Sequence, residues 1–422
     1  MASAASRVLV GAVRLLVAAC AVLGASGSSG ASEPRRGSGG GCFTRLFSFG
    51  DSITDNGNWM HYARWPGTVA RLPYGETFFR RPNGRFCDGR IIIDHIGALS
   101  LALPPASLLS LADGHYTWPG THSLALPCAA DALGIPFLTP YLAGNTSGDY
   151  AHGANFAVGG ATALGHGYFR RKKLVTGFTP YSLRWQMSWL KRVLNMLAPQ
   201  QGGPGWSDLM ASSLFLVGEI GGNDYNQALF QGRPVDEVQT YVPDVVAGIT
   251  ASVAELIGLG ARTVVVPGNF PTGCNPGYLT RFRTNDTAQY DAAGCLRWPN
   301  ALTELHNRAL QAELAELRRR HPGVAVVYAD YFAAGMDLAA DPRKHGFGGA
   351  PLVSCCGGGG PYNSNLTVRC GMRASTTCPD PYQAVSWDGF HFTDHAYKVI
   401  ADGVLRGPYG APPVLETCRS RL

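Results

Sequence analysis

One stretch restricts the fold of this chain more than any other, the run Phe-Ser-Phe-Gly-Asp-Ser-Ile-Thr-Asp-Asn-Gly-Asn at 47–58. It begins as the end of an apolar segment and breaks into small polar residues, which is typical of a strand that enters a tight turn before a helix. Such a turn can raise the Ser52 hydroxyl above the sheet edge, where a helix N-terminus would favour developing negative charge. Because a serine alone is a poor nucleophile, the stretch predicts a general base elsewhere in the chain.

Apolar strands alternate with helices along the rest of the sequence. The predicted strands lie at 43–49, 214–218, 263–266 and 324–328. One predicted helix begins at Ile91. Three others cover 180–197, 235–260, which Gly260 ends, and 300–320, and the last begins after the capping residue Thr393. Because the strands are apolar at nearly every position, we expect an α/β fold in one domain, with a parallel sheet covered by helices on both faces.

Four polar turns are candidates for the same edge of that sheet. They contain Ser52, Gly159, Asn223 and His391. Ligand sites in open α/β sheets lie beyond the carboxyl ends of the strands. The shared location of the four turns is therefore stronger evidence for a functional site than any single motif.

An ester hydrolase that acts through serine needs a nucleophile, a base, a group that orients the base, and oxyanion donors. Ser52 is the candidate nucleophile and His391 the candidate base. Asp388 lies three residues before the histidine, a spacing that lets its carboxylate fold back onto the imidazole. The expected oxyanion donors are the backbone N–H groups of Ser52 and Gly159 and the side-chain amide of Asn223. We attribute the glycine at 159 to the close approach of substrate oxygen to the backbone.

Each of these motifs also has a purely structural interpretation. A Gly-Asp-Ser triplet is common, the Gly-Gly-Asn-Asp run at 221–224 can be only a turn, and 388–391 can be only a capping arrangement. The absence of a Gly-x-Ser-x-Gly motif disfavours the α/β-hydrolase version of this chemistry. The glycines at 357–360 are not followed by the Lys and Ser of a phosphate-binding loop.

Taken together, the motifs resemble the plant GDSL esterase/lipase family of the SGNH hydrolase superfamily. The resemblance is carried by the blocks at 47–58, 153–161 (Gly-Ala-Asn-Phe-Ala-Val-Gly-Gly-Ala), 217–226 and 386–393, and it spans 43 to about 405. It implies a flavodoxin-like three-layer αβα sandwich. It also implies the same roles: Ser52 as nucleophile, Gly159 and Asn223 as oxyanion donors, His391 as base and Asp388 as its orienter. The chain has Ile53 where the family name has leucine, and both residues are apolar.

Two further segments resemble one branch of that family. They are Pro-Tyr-Gly-Glu-Thr-Phe-Phe at 73–79 and Cys-Cys-Gly-Gly-Gly-Gly-Pro-Tyr-Asn at 355–363. The branch contains sinapine esterase, acetylajmaline-type esterases and wall-polysaccharide deacetylases, which implies a small acyl group on a polar alcohol or glycan. The expected function is a secreted carboxylic ester hydrolase that forms an acyl-enzyme without metal or cofactor. An acyltransferase and an inactive glycan-binding wall protein are the alternatives.

The N-terminal region is typical of a secretory leader. Arg7 and Arg14 precede an apolar run at 15–25, and small residues at 29–31 offer a cleavage site. We therefore predict a signal peptide at 1–31, a flexible Gly/Ser-rich segment at 32–41 and a hydrolase domain at 42–422. An uncleaved anchor is the alternative, but the run is short for a membrane span. No later segment is expected to cross a bilayer.

Sequons and cysteines also indicate an oxidising compartment. Asn145, Asn285 and Asn365 each begin an acceptor sequon for an N-glycan. Of the 11 cysteines, Cys20 would leave with the leader, and we expect most of the others to pair. The adjacent residues Cys355 and Cys356 are predicted to have different partners. A zinc site is the alternative, but no Cys-x-x-Cys pair or His-Glu-x-x-His motif occurs.

Charge gives few indications of partners. The formal net charge is +6, and the two basic runs at 170–173 and 318–320 accompany no nucleic-acid-binding motif. We expect a monomer that acts on a small-molecule or polysaccharide ester. Its predicted location is the apoplast or cell wall, with the vacuole or Golgi lumen as alternatives. His306, on the predicted helix 300–320, is interpreted as a surface or groove histidine and not as a metal ligand.

One segment interrupts the pattern. Residues 97–130 are rich in Leu, Pro, Ser and His without a clean period. The chain would be more regular if Ile96 were followed directly by Ala130. We interpret 97–130 as an insertion that holds Cys128, with a retained intron in the gene model as the alternative.

Overall fold

The structure, a computed structural model, describes residues 42–97, 133–176, 179–199, 204–348 and 350–419. The predicted leader at 1–31, the segment at 32–41 and nearly all of the predicted insertion at 97–130 lie outside the described residues. The described residues, from Cys42 onward, form one compact unit. Gly97 and Ile135, on either side of the insertion, are adjacent, because the Ile135 N–H donates to the Gly97 carbonyl at 2.9 Å.

The secondary structure confirms the alternation of strands and helices. The strands are β1 Arg45–Phe49, β2 Thr139–Pro140, β3 Gly153–Asn155, β4 Ser213–Val217, β5 Thr263–Pro267, β6 Ala325–Ala329, β7 Cys356–Gly357, β8 Thr376–Thr377 and β9 Gly410–Ala411. The helices are α1 Asn58–Tyr62, α2 Ile92–Gly97, α3 His166–Arg171, α4 Leu183–Leu197, α5 Pro204–Ala211, α6 Gly222–Phe230, α7 Val235–Gln239, α8 Val242–Gly258, α9 Pro276–Arg281, α10 Arg297–Arg320, α11 Tyr331–Ala340, α12 Asp394–Arg406 and α13 Val414–Arg419. Thr393 caps α12, as expected, by accepting from the Ala396 N–H.

The main sheet has seven strands in the order β2-β3-β1-β4-β5-β6-β9. The pairs among β1 to β6 are parallel, whereas β9 pairs with β6 antiparallel. The expectation of a parallel sheet therefore holds for six strands and fails at the edge. The chain builds β2 and β3 on one side of β1 and then crosses to β4 on the other. That change of direction places a crevice beyond the carboxyl end of β1.

Alternate residues of the central strands face two separate cores. Phe47 and Phe215 belong to one core, which is closed chiefly by α4, α6, α8 and α10. Leu46 and Leu214 belong to the other, which is closed by α2, α11 and α12. Since successive side chains of a strand point to opposite faces, apolar residues at every position require cover on both sides. The result is the three-layer αβα sandwich.

The predicted helix at 235–260 is two helices, α7 and α8. A proline at 243 sits in the first turn of α8. It has no N–H with which to continue a helix from α7, so the chain breaks between Gln239 and Val242. By length and composition alone, 235–258 could cross a membrane, contrary to the expectation that no later segment would qualify. More than half of it is buried in the protein, as in a core helix, so it is weak evidence for a span.

His306 is not on the surface, and that interpretation is wrong. It is fully buried on α10, and its Nδ1 lies 2.7 Å from the Tyr225 hydroxyl oxygen. Burial lowers the pKa of His306 to about 4, so the ring is neutral at neutral pH. A lone histidine in an amphipathic sequence gave no sign of this, because Tyr225 comes from a distant helix.

Three disulfides connect the described residues. They join Cys274 to Cys295, Cys355 to Cys378 and Cys356 to Cys370. The prediction that the adjacent cysteines 355 and 356 would have different partners is confirmed. Cys87 is a free, buried thiol, and Cys128 lies outside the described residues.

Gly153 is a position where the fold excludes any side chain. Its φ is +106°, and a Cβ there would lie 1.8 Å from the Leu46 carbonyl oxygen of β1. We expect Gly153→Ala to lower the free energy of unfolding by about 3 kcal/mol or more, because both backbone strain and overpacking act. The measurement is the urea midpoint. Gly232→Ala is the matched control, since its φ is +81° but nothing lies within 4 Å of the new Cβ. Equal losses in the two variants would contradict the packing argument.

Candidate active site

Ser52 lies on a tight turn directly beyond β1. The Asp51 carbonyl accepts from the N–H groups of Thr54 and Asp55, and the Asp51 side chain accepts from the Ile53 N–H at 3.0 Å. These bonds hold the Ser52 side chain, which is partly exposed, at the cavity surface. A helix was expected to begin beside it, but α1 begins only at Asn58. The dipole of α1 therefore does not act directly on Ser52.

His391 and Asp388 meet Ser52 from the loop before α12. The His391 Nε2 lies 2.8 Å from the Ser52 Oγ, and its Nδ1 lies 2.8 Å from the nearer Asp388 oxygen. The carboxylate also accepts from the N–H groups of Phe390 and His391, both at 3.0 Å. The short turn at 388–391 thus folds the carboxylate back onto its own imidazole. An N–H at Nδ1 toward Asp388 leaves Nε2 free to accept the serine proton.

Tyr74 is a further partner of the carboxylate. Its hydroxyl is buried and donates to the Asp388 Oδ2 at 2.8 Å. Burial works to raise the pKa of Asp388, but the charge of His391 and the hydrogen bonds from His391, Phe390 and Tyr74 outweigh it and lower the pKa. Asp388 is therefore an anion at neutral pH, suited to hold an imidazolium.

The Gly159 N–H has a different partner from the one expected of an oxyanion donor. It donates to the Asp55 Oδ2 at 2.7 Å. Asp55 also accepts from the N–H groups of Gly57, Asn58 and Trp59. Burial raises the pKa of Asp55 to about 6 against the effect of these four bonds. The carboxylate therefore ties the serine turn to the turn after β3.

The absence of a side chain at Gly159 was attributed to the close approach of substrate oxygen, but the structure shows a different cause. A Cβ there would lie 2.7 Å from the Phe86 ring. The Phe86 ring in turn packs on the His391 ring, with centroids 5.0 Å apart. Glycine at 159 therefore leaves room for the ring that covers one face of the imidazole.

The next residue, Gly160, is a second candidate for the donor role expected of Gly159, and both residues line the cavity. Gly160 lines the cavity in the left-handed region, with φ at +76°. In the described parts of the chain, neither the Gly160 N–H nor the Ser52 N–H donates to a protein acceptor. Both donors are therefore available to a substrate oxygen.

Asn223, at the start of α6, brings the third expected donor. Its Nδ2 donates to the Asp51 Oδ2 at 2.7 Å and to the Ala161 carbonyl at 3.1 Å. Both amide hydrogens thus have protein acceptors. An oxyanion that binds Asn223 must share or replace the longer bond, the one to Ala161.

One cavity of about 460 Å³ contains the reacting groups. Its lining includes Ser52, Gly159, Gly160, Asn223, Asp388 and His391. Its other walls are rich in aromatic rings, among them Trp59, Trp65, Phe86, Phe230, Tyr278 and Phe390. The described residues contain no group of three or more His, Cys, Asp or Glu side chains that could hold a metal ion.

The family model of the GDSL-like lipase/acylhydrolases matches residues 46–404. The chain belongs to this family. Two GDSL esterase/lipases of Arabidopsis thaliana are each 41% identical to it, over 381 residues (89% of this chain and 87% of the relative) and 384 residues (90% and 88%). Sinapine esterase of Brassica napus is 37% identical over 379 residues, which cover 89% of this chain and 88% of that protein. The chain is accordingly a carboxylic ester hydrolase.

The sequence pattern does not mark Tyr74, Phe86, Asp55 or Gly160 as parts of the site. Tyr74 and Phe86 lie in turn-rich stretches at 74–79 and 81–90, where nothing distinguishes them from other aromatic residues. Asp55 stands three residues after Ser52, a spacing that a capping carboxylate would explain. Gly160 could not be separated from Gly159 without backbone dihedral angles.

Gly159 and Phe86 offer a test of how the imidazole is held. We expect Gly159→Ala to lower kcat about tenfold or more, because the new methyl group displaces Phe86 from His391. Gly159→Ala combined with Phe86→Leu should recover part of the loss, since the smaller side chain makes room. Both are measured with p-nitrophenyl acetate, and melting temperatures exclude unfolding. A double variant no faster than Gly159→Ala would contradict this account.

Proposed function

We propose that this esterase is a secreted serine hydrolase that acts through an acyl-enzyme on small acyl esters of polar alcohols or glycans. The observation that carries the proposal is the chain of contacts from Ser52 through His391 to Asp388, at 2.8 Å for each contact, on the wall of the cavity. An adjacent base within hydrogen-bond reach is what a serine needs to become a nucleophile.

The reaction runs in two halves. The Ser52 Oγ attacks the ester carbonyl while the His391 Nε2 takes its proton. The imidazolium, held by Asp388, then gives that proton to the departing alcohol, which leaves the acyl group on Ser52. In the second half a water takes the place of the alcohol: His391 removes its proton, the acyl–oxygen bond to Ser52 breaks, and the serine recovers the proton.

The proposed oxyanion donors are the N–H groups of Ser52 and Gly160 and the side-chain amide of Asn223. Gly160 replaces Gly159 in this role because the Gly159 N–H is occupied by Asp55 at 2.7 Å. We propose that the oxyanion takes the place of the Ala161 carbonyl as an acceptor from Asn223. Removal of one such donor typically lowers kcat about 10²- to 10³-fold.

The cavity favours a compact acyl group with an aromatic or sugar-like alcohol. Its walls carry several aromatic rings, and Trp65, at 82% exposure, stands at the rim where a polar alcohol could stack. The name of the Brassica napus relative, sinapine esterase, agrees with a polar ester substrate. A screen of acetylated xylan, sinapoyl esters and short-chain lipids would identify the substrate class. Adding a competing alcohol and analysing the products would separate hydrolysis from acyl transfer.

Ser52→Ala tests the catalytic assignment. We expect kcat for p-nitrophenyl acetate to fall by about 10³-fold or more, because no other hydroxyl replaces the nucleophile. The variant should also lose labelling by a fluorophosphonate probe. Ser188→Ala, on the outer side of α4, is the control and should react and label like the wild type. Wild-type turnover or labelling in Ser52→Ala would refute the assignment, and absence of labelling in the wild type would favour the glycan-binding alternative.

Secretion is supported by three disulfides and by sequons on the surface. Asn145 and Asn285 are exposed, whereas Asn365 is half-buried and borders the cavity. The proposed location is the apoplast or cell wall. The vacuole and the Golgi lumen are the alternatives, and the same disulfides and glycans are compatible with them.

The sequons give a direct test of passage through the secretory pathway. In a plant expression host we expect peptide N-glycosidase to increase the gel mobility of the full chain. The double variant Asn145→Gln, Asn285→Gln should migrate faster than the wild type before digestion, because two exposed acceptor sites are lost. The chain lacking 1–31 is the control and should carry no glycan. Equal mobility of the wild type and the double variant would show that neither Asn145 nor Asn285 carries a glycan.

A further inference from the structure

Two carboxyl groups lie behind the oxyanion site, and the proposed reaction uses neither. Asp51 is 3% exposed and Glu219, two residues beyond β4, is 7% exposed. The two carboxyl groups lie within hydrogen-bonding reach of each other. Both line the cavity that contains Ser52 and Asn223.

A proton must lie between these two groups. Ionised carboxylates accept hydrogen bonds but cannot donate them, so a bond between two carboxyl groups requires that one be protonated. Two adjacent carboxylates in a buried site also repel each other strongly. The pair therefore carries one negative charge and one proton.

The other partners of the pair locate that proton on Glu219. Asp51 accepts from the Ile53 N–H at 3.0 Å and from the Asn223 Nδ2 at 2.7 Å, which favours an ionised Asp51. Glu219 has fewer donors: within the described ranges, one side-chain amide reaches its Oε1, that of Asn269 with its nitrogen turned toward Glu219, at 3.2 Å. Protonated Glu219 thus donates to Asp51, and Asp51 accepts from Asn223.

The surroundings agree with this assignment. Burial raises the pKa of Asp51 to about 6 and the pKa of Glu219 well above its ordinary value. The titratable groups that face the pair come from four parts of the structure, namely Asp224 of α6, Tyr278 of α9, Tyr331 of α11, and His391 with Tyr397 near and on α12. The Asp224 carboxyl discourages ionisation of Glu219, and a His391 cation favours ionised Asp51.

We propose that Glu219 is a positioning residue of the esterase reaction, whose protonated carboxyl group fixes Asp51 so that Asp51 holds the Asn223 amide at the oxyanion site. The proton also limits the charge behind the developing oxyanion to a single unit. Loss of that proton would add a second negative charge close to the oxyanion and would break the Glu219–Asp51 bond. This inference rests on the proposed function, because it assigns Glu219 a role only through Asn223.

The pH dependence follows from the location of the proton. The pKa of Glu219 is raised, so the active, protonated form exists below that pKa and disappears as the pH rises through it. The wild-type kcat should therefore fall on the alkaline side. Glu219→Gln keeps a neutral donor toward Asp51 at every pH, so its alkaline fall should be absent.

The experiment compares Glu219→Gln, Glu219→Ala and the control Glu313→Gln, an exposed position on α10. Acetate release is followed by pH-stat titration, which tolerates alkaline conditions. We expect Glu219→Ala to lower kcat about 10- to 100-fold with little change in KM, because an oxyanion donor acts in the transition state. Glu219→Gln should retain most of kcat and lose the alkaline fall, while Glu313→Gln should keep the wild-type profile.

A double-mutant cycle separates positioning from general support of the fold. In an Asn223→Ala background, Glu219→Ala should lower kcat further by less than about twofold, because Glu219 acts through the missing amide. Full additivity, or an alkaline fall in Glu219→Gln equal to that of the wild type, would overturn the proposal. If Glu219→Ala does not fold, the pH profile of Glu219→Gln still decides. Ser52→Ala distinguishes failure of the proposed function from failure of the positioning role. If Ser52→Ala is inactive while the Glu219 variants behave like the wild type, only the positioning role is refuted.

Discussion

The site depends on one buried carboxylate that joins two turns of the sheet edge. Asp55 accepts four backbone N–H groups, three from its own turn and the fourth from Gly159 on the turn after β3. A buried carboxylate is costly unless hydrogen bonds offset its lost hydration, so the group is stable only when both turns are in place. This condition fixes the distance between the serine turn and the cavity wall opposite it. Gly160 follows Gly159 directly in the chain, so the same bond also anchors the turn that carries Gly160.

Buried acids recur around this edge. Burial raises the pKa of Asp51 and Asp55 to about 6 and that of Asp224 to about 7, and it raises the pKa of Glu219 well above its ordinary value. Each of these carboxyl groups therefore ionises at a lower pH in the unfolded chain than in the folded protein. They therefore lower stability as the pH rises from about 4 toward 7. The same carboxyl groups orient backbone and side-chain donors, so the fold gives up stability at this edge in exchange for a prearranged site.

Much of this arrangement could be predicted from the sequence, and the limits have physical causes. Apolar residues at successive positions, such as those of β4, indicate a doubly covered sheet, and the order of strands brings their following turns to one edge. The pairing of His391 with Asp388 follows from a spacing of three residues. The antiparallel β9 has only two residues and no pattern to reveal it. The buried state of His306 depends on Tyr225, which is distant in sequence. The choice between Gly159 and Gly160 depends on where each N–H points, which sequence does not specify.

The disulfides lie in the segments that line the cavity and not in the turns that carry the reacting groups. The reacting groups stand on turns held by the sheet and by buried carboxylates, without a disulfide among them. The Cys274–Cys295 and Cys356–Cys370 bonds instead fix the segments that contribute Tyr278 and the residues around 368 to the cavity wall. The segment around 368 has little regular structure and would lose shape without a crosslink, whereas the strands are held by their own ladder. Substitutions in the crosslinked walls can therefore change which alcohol is accepted while the distance between Ser52 and His391 stays the same.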